Sequence, residues 1–369
     1  MRNIKGIITS ILSAILLTSA LAACGNQNSG IVPAGASSGT ATTTPSDTPA
    51  TTADKSNLKT IHIGFPSSGS AWPGGILGAA SEYGYLEEYL NTIGYTAELD
   101  SFVGAAPAIH EALVAKQLDY VVYAGMAADL SKANGIDTTL ISITGWGSGW
   151  ELVANANSGI NTIQDLRGKK VAYMRGASPQ MYLIRILNEA GLTFNDIQAF
   201  NTTIPDGLAS VTTDSADACI ISNGQAMDLI NQGVLKVIHQ GFTADKSVYY
   251  EPSVFIARTD AYNENKEVAV AIEKSFLKAR DKAKEEVDAY YRLLAEKSGV
   301  SLEQILATAE RDLDVSIPLN FDEQYMDAMK SILMLLHDND LTQGNVDFDA
   351  WIDGGHVVNK AAEEYINEK

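Results

Sequence analysis

A short turn, Arg175-Gly176-Ala177-Ser178, lies between a β-prone run and an apolar helical pattern that starts at Pro179. Ser178 suits the N-cap because its hydroxyl can accept an unpaired backbone N–H, and Pro179 suits the first helical position because it has no N–H. Unpaired N–H groups at a helix start, together with the helix dipole, attract an anionic or strongly polar group. Gly176, Ala177 and Ser178 are therefore candidate donors to a ligand, and Arg175 is a candidate charge. A cap that binds nothing is the alternative.

The polar loop after the first predicted strand is a second candidate contact. The strand runs from Leu58 to Phe65, and a helix is predicted from 76 to about 90. Because ligands of parallel α/β folds sit at the carboxyl ends of strands, this loop lies where a ligand would bind. We expect contacts from four of its side chains, namely Ser67, Ser68, Ser70 and Trp72. Burial of Trp72 in the core is the alternative to its binding role.

An internal repeat supplies the elements that would position such a site. Two segments nearly a hundred residues apart each predict a helix, a short buried strand, a tight turn and a helix that ends at glycine. Asp119 and Gly125 lie six residues apart in one copy, as do Asp217 and Asn223 in the other. Similar units far apart suggest two lobes of one topology, unless the match arises by chance. The candidate contacts after the two strands are Gly125, Met126, Asn223 and Gln225.

Two aromatic stretches predict two crossings between the lobes. Glycines and two tryptophans interrupt the strand pattern from Ile141 to Ala154, and the pattern from 237 to 257 contains Tyr249 and Tyr250. Two crossings form a hinge about which lobes can close on a ligand. Trp146 and Tyr250 are therefore candidate ligand contacts, and packing within the hinge is the alternative. After the second crossing, helices predominate, and Ser301 with Gln304 and Asn320 with Glu323 are predicted capping boxes.

The first 57 residues predict export and attachment to a membrane. A positive start, an apolar run from Ile7 to Leu17 and small residues are typical of a secretory signal peptide, here 1–23. Leu21-Ala22-Ala23-Cys24 resembles the bacterial lipobox, so Cys24 is the expected lipidated residue, and an ordinary signal peptide is the alternative. Residues 24–57 are rich in Ser, Thr, Ala, Gly and Pro and predict a disordered tether. We expect a lipid-anchored protein at the extracytoplasmic face of the cell membrane.

Composition excludes several functions. The formal charge of −19 becomes −21 without the signal peptide, which holds two basic and no acidic residues. Nucleic acid is therefore not an expected partner, because phosphate binding needs a basic face. Only Cys24 and Cys219 occur, so no internal disulfide is expected, and the five histidines show no metal-ligand spacing. No metal, cofactor or catalytic residue is predicted, and without a phosphate-binding loop any ATPase partner is a separate chain.

These segments together resemble the periplasmic-binding-protein family of the nitrate, aliphatic sulfonate and taurine type. The resemblance rests on Ile63-Gly64-Phe65, on 108–125, on 158–178 and on Ala216-Asp217-Ala218. It implies an α/β fold of type II with two lobes, a two-crossing hinge and a helical C-terminal extension. Lobe 1 is expected over 58–147 and 243–369, and lobe 2 over 148–242. The chain departs from the family pattern at Asn223-Gly224, where Asp-Pro is frequent, and at Lys116-Gln117, where a glycine is usual.

The resemblance implies a solute-binding protein of an ABC importer, not an enzyme. A monomer would capture a small polar solute between its lobes and deliver it to a membrane permease with a separate ATPase. An aliphatic sulfonate, taurine or a nitrate-like anion is the expected solute, with Trp72 and Trp146 covering its apolar part. One alternative is a neutral heterocycle, such as a pyrimidine or a vitamin precursor, stacked on the tryptophans. An enzyme on this fold and a surface adhesin are the alternatives from other classes.

Overall fold

The structure, a computed structural model, describes residues 57–67, 71–103 and 105–367. All of them belong to one compact unit, Thr52–Lys369. The predicted signal peptide, the tether up to residue 56, Cys24, Ser68 and Ser70 lie outside the described residues. In the described part of the chain, no helix combines the length and the apolar character that crossing a membrane requires.

Ten strands are numbered in chain order. They are β1 Lys59–Pro66, β2 Tyr95–Phe102, β3 Tyr120–Ala124, β4 Thr138–Gly147, β5 Trp150–Asn155, β6 Lys170–Tyr173, β7 Gln198–Asn201, β8 Ala218–Ser222, β9 Leu235–Gln240 and β10 Glu251–Arg258.

Among the described residues, fifteen α-helices connect and follow these strands. They are α1 Gly75–Glu82, α2 Tyr85–Thr92, α3 Ala105–Val114, α4 Gly125–Ala133, α5 Ser178–Glu189, α6 Ile204–Thr212, α7 Met227–Asn231, α8 Lys246–Tyr249, α9 Thr259–Glu264, α10 Lys266–Glu285, α11 Val287–Ser298, α12 Leu302–Thr308, α13 Leu313–Ser316, α14 Glu323–Asp338 and α15 Phe348–Asn367.

The strands form two five-stranded sheets of the same topology. The first lobe is built on the order β2-β1-β3-β10-β4, and the second on β7-β6-β8-β5-β9. In each sheet the first three strands are parallel, and the fourth is antiparallel to both of its neighbours. The antiparallel strand enters each lobe from a crossing, so the two lobes are connected twice. The two-lobed α/β fold and its two crossings are therefore confirmed, while the predicted lobe boundaries stay a prediction.

The repeat is confirmed by matching hydrogen bonds. The Asp119 carboxylate accepts the His62 backbone N–H at 3.0 Å, and the Asp217 carboxylate accepts the Lys170 N–H at 2.8 Å. The backbone N–H groups of the two aspartates bond back to the carbonyls of the same two residues, both at 2.9 Å. Each aspartate lies just before the third strand of its sheet order, β3 or β8, and joins it to the second, β1 or β6. Its carboxylate satisfies a backbone donor of that second strand.

Apolar packing on both faces holds each sheet in place. In the first lobe, α1, α2, α10 and α15 cover one face of the sheet around the fully buried Ile63, Phe255 and Phe276. In the second lobe, α5 packs on its sheet through Tyr182 and Leu187. The C-terminal helices from α9 to α15 form the predicted helical region and complete the first lobe.

Three local predictions need correction. The predicted helix 76–90 is two helices, because Gly84 adopts a left-handed conformation with φ +79° between them. Helix α5 has Ala177, not Ser178, at its N-cap, since Ala177 is the last residue with an extended backbone. The Ser301 capping box is present. The one predicted at Asn320 is not, because the N-cap position of α14 is Asp322, whose side chain makes no cap hydrogen bond.

Candidate functional site

A cavity of about 210 Å³ lies between the two lobes, where the parallel strands end. It is reached by Pro66 at the end of β1, Ala124 at the end of β3, Met174 just after β6 and Ser222 at the end of β8. Its other lining residues are Ser67, Ala105, Ala106, Tyr123, Ala127, Trp150, Ala177, Ser178, Pro179 and Ile204. The carboxyl ends of parallel strands are where α/β folds bind ligands. We call this space the interlobe cavity.

Four helices begin at the interlobe cavity, two from each lobe. The lining includes the first residues of α3, α5 and α6 and the residue just before α4. The N–H groups of a first turn have no partner within the helix, and the dipole adds positive partial charge there. No charged side chain lines the cavity in the described part of the chain. Its polarity therefore comes from backbone donors and a few hydroxyls, and small side chains leave the helix starts accessible.

Ala105 at the start of α3 has a backbone conformation that is uncommon for a residue with a side chain. Its φ is +49°, in a region where a Cβ meets backbone atoms. Such conformations persist where the surrounding structure holds them, and they are frequent at binding sites. Ala105 lines the interlobe cavity, so this strained residue lies at the candidate site.

Part of the turn predicted to bind a ligand is already hydrogen-bonded within the protein. The Gly176 N–H donates to Gln180 Oε1, and the Arg175 N–H donates to Asn201 Oδ1, both at 2.7 Å. Ala177 and Ser178 line the interlobe cavity, whereas Arg175 is exposed and lines a separate groove together with Gly176. The turn therefore presents Ala177 and Ser178 to the cavity.

In the first loop, too, only some of the predicted contacts lie at the interlobe cavity. Ser67 lines the interlobe cavity, and its backbone N–H donates to the Phe102 carbonyl at 3.0 Å. Trp72 packs on Gly78, where an added Cβ would lie 2.5 Å from the indole ring. It lines a surface pocket with the end of α11 rather than the interlobe cavity.

The candidate residues of the repeat do not reach the interlobe cavity. Gly125 is buried against Met329 and the Pro252 carbonyl, and Met126 packs in a cluster with Met181, Ile332 and Leu336. The Asn223 side chain donates to the Ser148 carbonyl at 2.8 Å, which joins the second lobe to the first crossing. The exposed Gln225 accepts the Ser222 backbone N–H at 3.3 Å. None of the four lines the interlobe cavity.

A second and larger space, of about 540 Å³, opens beside the interlobe cavity. The two share Pro66, Tyr123, Ala124, Trp150 and Ser178. The walls of the second space carry the aromatic side chains Tyr123, Trp146, Trp150, Tyr250, Tyr290 and Tyr291. We call it the aromatic chamber. The predicted contacts Trp146 and Tyr250 both line it, with ring centroids 5.7 Å apart in an edge-to-face arrangement.

Two buried glutamates at the crossings were not predicted as site residues. Glu251, 8% exposed, lines the aromatic chamber, and the Trp150 indole donates to its Oε1 at 3.4 Å. Burial raises the pKa of Glu251, and the Ser178 hydroxyl and the Arg185 charge partly offset this rise. Glu151 is also buried, which raises its pKa. The sequence signal was an aromatic residue followed by Glu in both crossings, Trp150-Glu151 and Tyr250-Glu251.

Two further buried charged residues lie near Glu251. Burial, with the charge of Glu251 as a second cause, raises the pKa of Asp129 well above its usual range. Burial lowers the pKa of the Arg185 guanidinium, and Glu251 acts against this change. Neither residue lines the interlobe cavity or the aromatic chamber. Both residues interact electrostatically with Glu251, although they do not line either space.

One group of side chains outside the cleft has the composition of a metal site. His62, Glu98 and Asp100, on β1 and β2, offer ligand atoms within 4.8 Å of one another. His62 Nδ1 lies 3.0 Å from Asp100 Oδ2, and both side chains are partly exposed. Sequence spacing could not show this group, because its members meet only through strand pairing.

The two lobes have matching topology, and a cavity lies between them. Each lobe contains one antiparallel strand that follows a crossing, β10 in the first lobe and β5 in the second. These features define a periplasmic-binding-protein fold of type II. A profile of the NMT1/THI5-like family matches residues 104–289. This is half of the chain, and the protein therefore belongs to that family.

Two binding proteins are similar to this chain, one in sequence and one in structure. A protein of Escherichia coli strain K12, provisionally named an aliphatic sulfonates-binding protein, is 31% identical over 138 residues. The match covers 37% of this chain and 43% of the relative, so the chain spans less than half of that relative's length. The structure of SsuA of Methylobacillus flagellatus KT, described as a periplasmic sulfonate-binding protein, is similar with a TM-score of 0.68 and 22% identity. This match covers 84% of this chain and 95% of SsuA, and at that identity it establishes the fold.

An enzyme shares the fold. The desulfurization enzyme DSZB is similar with a TM-score of 0.65 and 16% identity, over 83% of this chain and 99% of the enzyme. The architecture alone therefore does not decide between binding and catalysis, and the side chains of the cleft have to do so.

Proposed function

We propose that the protein is an extracytoplasmic solute-binding protein of an ABC importer that captures a small polar solute between its lobes. An aliphatic sulfonate, taurine or a nitrate-like anion fits the interlobe cavity best. The observation that carries this proposal is the convergence of four helix starts, two from each lobe, on a cavity with no charged side chain in its described lining. Backbone donors and helix dipoles bind an anion without a cationic side chain.

Capture would couple binding to closure of the lobes. An anion held by α5 and α6 of the second lobe would also attract α3 and α4 of the first lobe, so the closed state gains donors that the open state lacks. The crossings at Ser148-Gly149 and between β9 and β10 are the hinge. A ligand shifts such an equilibrium only by its difference in affinity for the two states. Donors from both lobes provide that difference.

The cleft supports binding rather than catalysis. The only cysteine other than Cys24 is Cys219, which is buried in β8, and burial raises the pKa of its thiol to about 12. A thiol that stays protonated at neutral pH is a poor nucleophile. The group of His62, Glu98 and Asp100 is not part of the interlobe cavity. We therefore propose that the protein is not an enzyme and that it acts with a permease and a separate ATPase.

Attachment through Cys24 remains part of the proposal. The lipobox-like segment and the polar tether would hold a monomeric binding protein at the outer face of the membrane. Metabolic labelling with a radioactive or clickable fatty acid, compared between the wild type and Cys24→Ala, tests this point. Labelling that persists in the variant would contradict it.

A thermal-shift screen of the purified chain without its signal peptide tests the proposed ligand class. Ligands that bind only the folded state raise its stability by about 2.7 kcal/mol at one hundred times Kd. We expect propanesulfonate, taurine or nitrate to raise Tm by several degrees over sodium chloride of equal ionic strength. Stabilisation by pyrimidines alone would favour a neutral heterocycle as the solute instead. If none of these solutes changes Tm, the result would count against the proposed function.

Two leucine variants on the same helix locate the binding site. Ala177→Leu, just before α5, places three more carbon atoms in the interlobe cavity, at a position whose extended backbone accepts leucine. Ala190→Leu, at the other end of the helix, is the matched control. We expect Ala177→Leu to remove the ligand-induced rise in Tm while the ligand-free Tm stays near that of the control. Equal ligand responses in the two variants would place the site elsewhere.

A further inference from the structure

Three residues that line the aromatic chamber carry buried polar atoms without hydrogen-bond partners in the described structure. Thr144 Oγ1, Glu251 Oε2 and Ser316 Oγ are buried, have no hydrogen-bond partner in the described structure, and belong to residues that line the chamber. An unsatisfied buried polar group destabilises the folded state. In a polar cavity with enough room, such groups are satisfied by water or by a ligand. The three residues line one space of about 540 Å³, so a polar ligand in that space would lie beside them.

The charged lining of the chamber is negative. Glu251 and Glu310 are its charged residues, and neither Lys nor Arg is among the described residues that line it. Glu310 is paired with Lys246 at 3.6 Å. Glu251 forms no ion pair within 4.0 Å with any described residue, although it is more than nine-tenths buried. A buried carboxylate without a paired cation favours a ligand that brings one.

Arg185 does not fill this role. It lies on α5, does not line the chamber, and its Nη1 is itself without a hydrogen-bond partner in the described structure. Its charge lowers the pKa of Glu251 against the effect of burial. Arg185 therefore favours the ionised form of Glu251 without lining the chamber itself.

The aromatic walls favour the same kind of ligand. A cation within about 6 Å of the centre of a Trp or Tyr ring is attracted by the ring quadrupole. Lys246 Nζ already makes such a contact, 5.3 Å from the centre of the Tyr250 ring. Trp146, Trp150, Tyr290 and Tyr291 line the rest of the chamber. The chamber thus combines a buried carboxylate with several rings.

We propose that the aromatic chamber is a second subsite that binds a cationic group of the solute, with Glu251 as its counter-ion. The interlobe cavity next to it binds the anionic end. The solute is then a zwitterion in which a sulfonate or similar anion is joined by a short linker to a quaternary or aromatic ring nitrogen. The anionic end of this solute rests on the proposed function, whereas the cationic end rests on the chamber alone.

Two nearly isosteric sulfonates test the chamber by isothermal titration calorimetry. One is 3-(1-pyridinio)propane-1-sulfonate, and the other is 3-phenylpropane-1-sulfonate, which has the same length and ring size without the ring charge. We expect the pyridinium compound to bind about tenfold more tightly to the wild type. Equal affinities would overturn the proposal, and this comparison needs no variant.

Glu251→Gln assigns the preference to one residue. The amide keeps the size of the side chain and removes its charge, so we expect the tenfold ratio to fall toward one while the affinity for the phenyl compound is retained. Glu303→Gln, at an exposed position on α12, is the control and is expected to keep the ratio. A ratio that is unchanged in Glu251→Gln would also overturn the proposal.

A third probe separates this inference from the proposed function. The 1-methylpyridinium cation carries the charged ring without a sulfonate. If it binds the wild type, does not bind Glu251→Gln, and neither sulfonate binds, the chamber proposal stands and the sulfonate function fails. If both sulfonates bind equally and 1-methylpyridinium does not bind, the function stands and the chamber proposal fails.

Discussion

Glu273 is a buried carboxyl in the core of the first lobe that should set how stability changes with pH. It lies on α10 with no exposed surface, and the Ser142 hydroxyl of β4 donates to its Oε2 at 2.8 Å. Its other oxygen has no hydrogen-bond partner in the described structure. Burial raises the pKa of Glu273 from 4.5 to about 8, with the Ser142 hydrogen bond and the Arg280 charge acting in the opposite direction.

A raised pKa means that the folded state binds this proton more tightly than the unfolded chain does. The resulting stabilisation is complete below pH 4.5 and is lost as the pH rises toward 8. One pKa unit corresponds to about 1.4 kcal/mol, so the full change is on the order of 5 kcal/mol. Between pH 5 and pH 7 the same relation gives a loss of about 2–3 kcal/mol.

Urea unfolding of the wild type and of Glu273→Gln at pH 5 and pH 7 measures this loss. The amide of the variant cannot ionise, so we expect the free energy of unfolding of the wild type to fall by about 2 kcal/mol more than that of the variant. Glu285→Gln, at an exposed position on the same helix, is expected to follow the wild type. Equal losses in the wild type and Glu273→Gln would show that the Glu273 carboxyl is not held neutral by the fold.

Two further variants test the packing behind the cleft and the contact between the lobes. Gly125→Ala should lower the free energy of unfolding by about 1–3 kcal/mol, because its Cβ would lie 2.5 Å from a methionine sulfur and 2.9 Å from a carbonyl oxygen. Gly147→Ala, with open space at that point, should be neutral in urea unfolding, and equal effects would contradict the packing role. Gln304→Ala removes a 2.6 Å hydrogen bond from α12 to the Gly224 carbonyl of the second lobe. A loss of about 1 kcal/mol should weaken ligand binding roughly fivefold and increase the radius of gyration in small-angle scattering, whereas Glu303→Ala should change neither.

The two-lobed fold could be predicted from the sequence because its signals are local. Each copy of the repeat carries a buried strand with an aspartate just before it, and in the structure Asp119 and Asp217 make the same pair of hydrogen bonds. The crossings could be recognised because a strand pattern is interrupted there by glycines and aromatic residues. Helix limits were less accurate. At Gly84 a single left-handed residue divides a helix that the apolar pattern continues through.

The site was predicted only in part, because it depends on which donors the fold itself uses. The turn before α5 was recognised from its composition, but the Gln180 side chain that takes the Gly176 N–H gave no sequence signal of that role. Gly125 was expected at the ligand because it ends a strand, whereas its lack of a side chain is needed for packing against Met329. Contacts that form between distant segments decide such cases, and no local pattern contains them.

The two crossings show how similar sequences acquire different roles. Each carries an aromatic residue followed by glutamate. In the first crossing both oxygens of Glu151 accept hydrogen bonds inside the second lobe, from the Gly224 N–H at 3.1 Å and the Gln240 side chain at 3.2 Å. In the second crossing Glu251 has one oxygen near the Trp150 indole and the other without a partner in the described structure. Glu251 also differs from Glu151 in its surroundings, because it lines the aromatic chamber. The pattern of an aromatic residue followed by glutamate therefore stabilises the second lobe at one crossing and lines the aromatic chamber at the other.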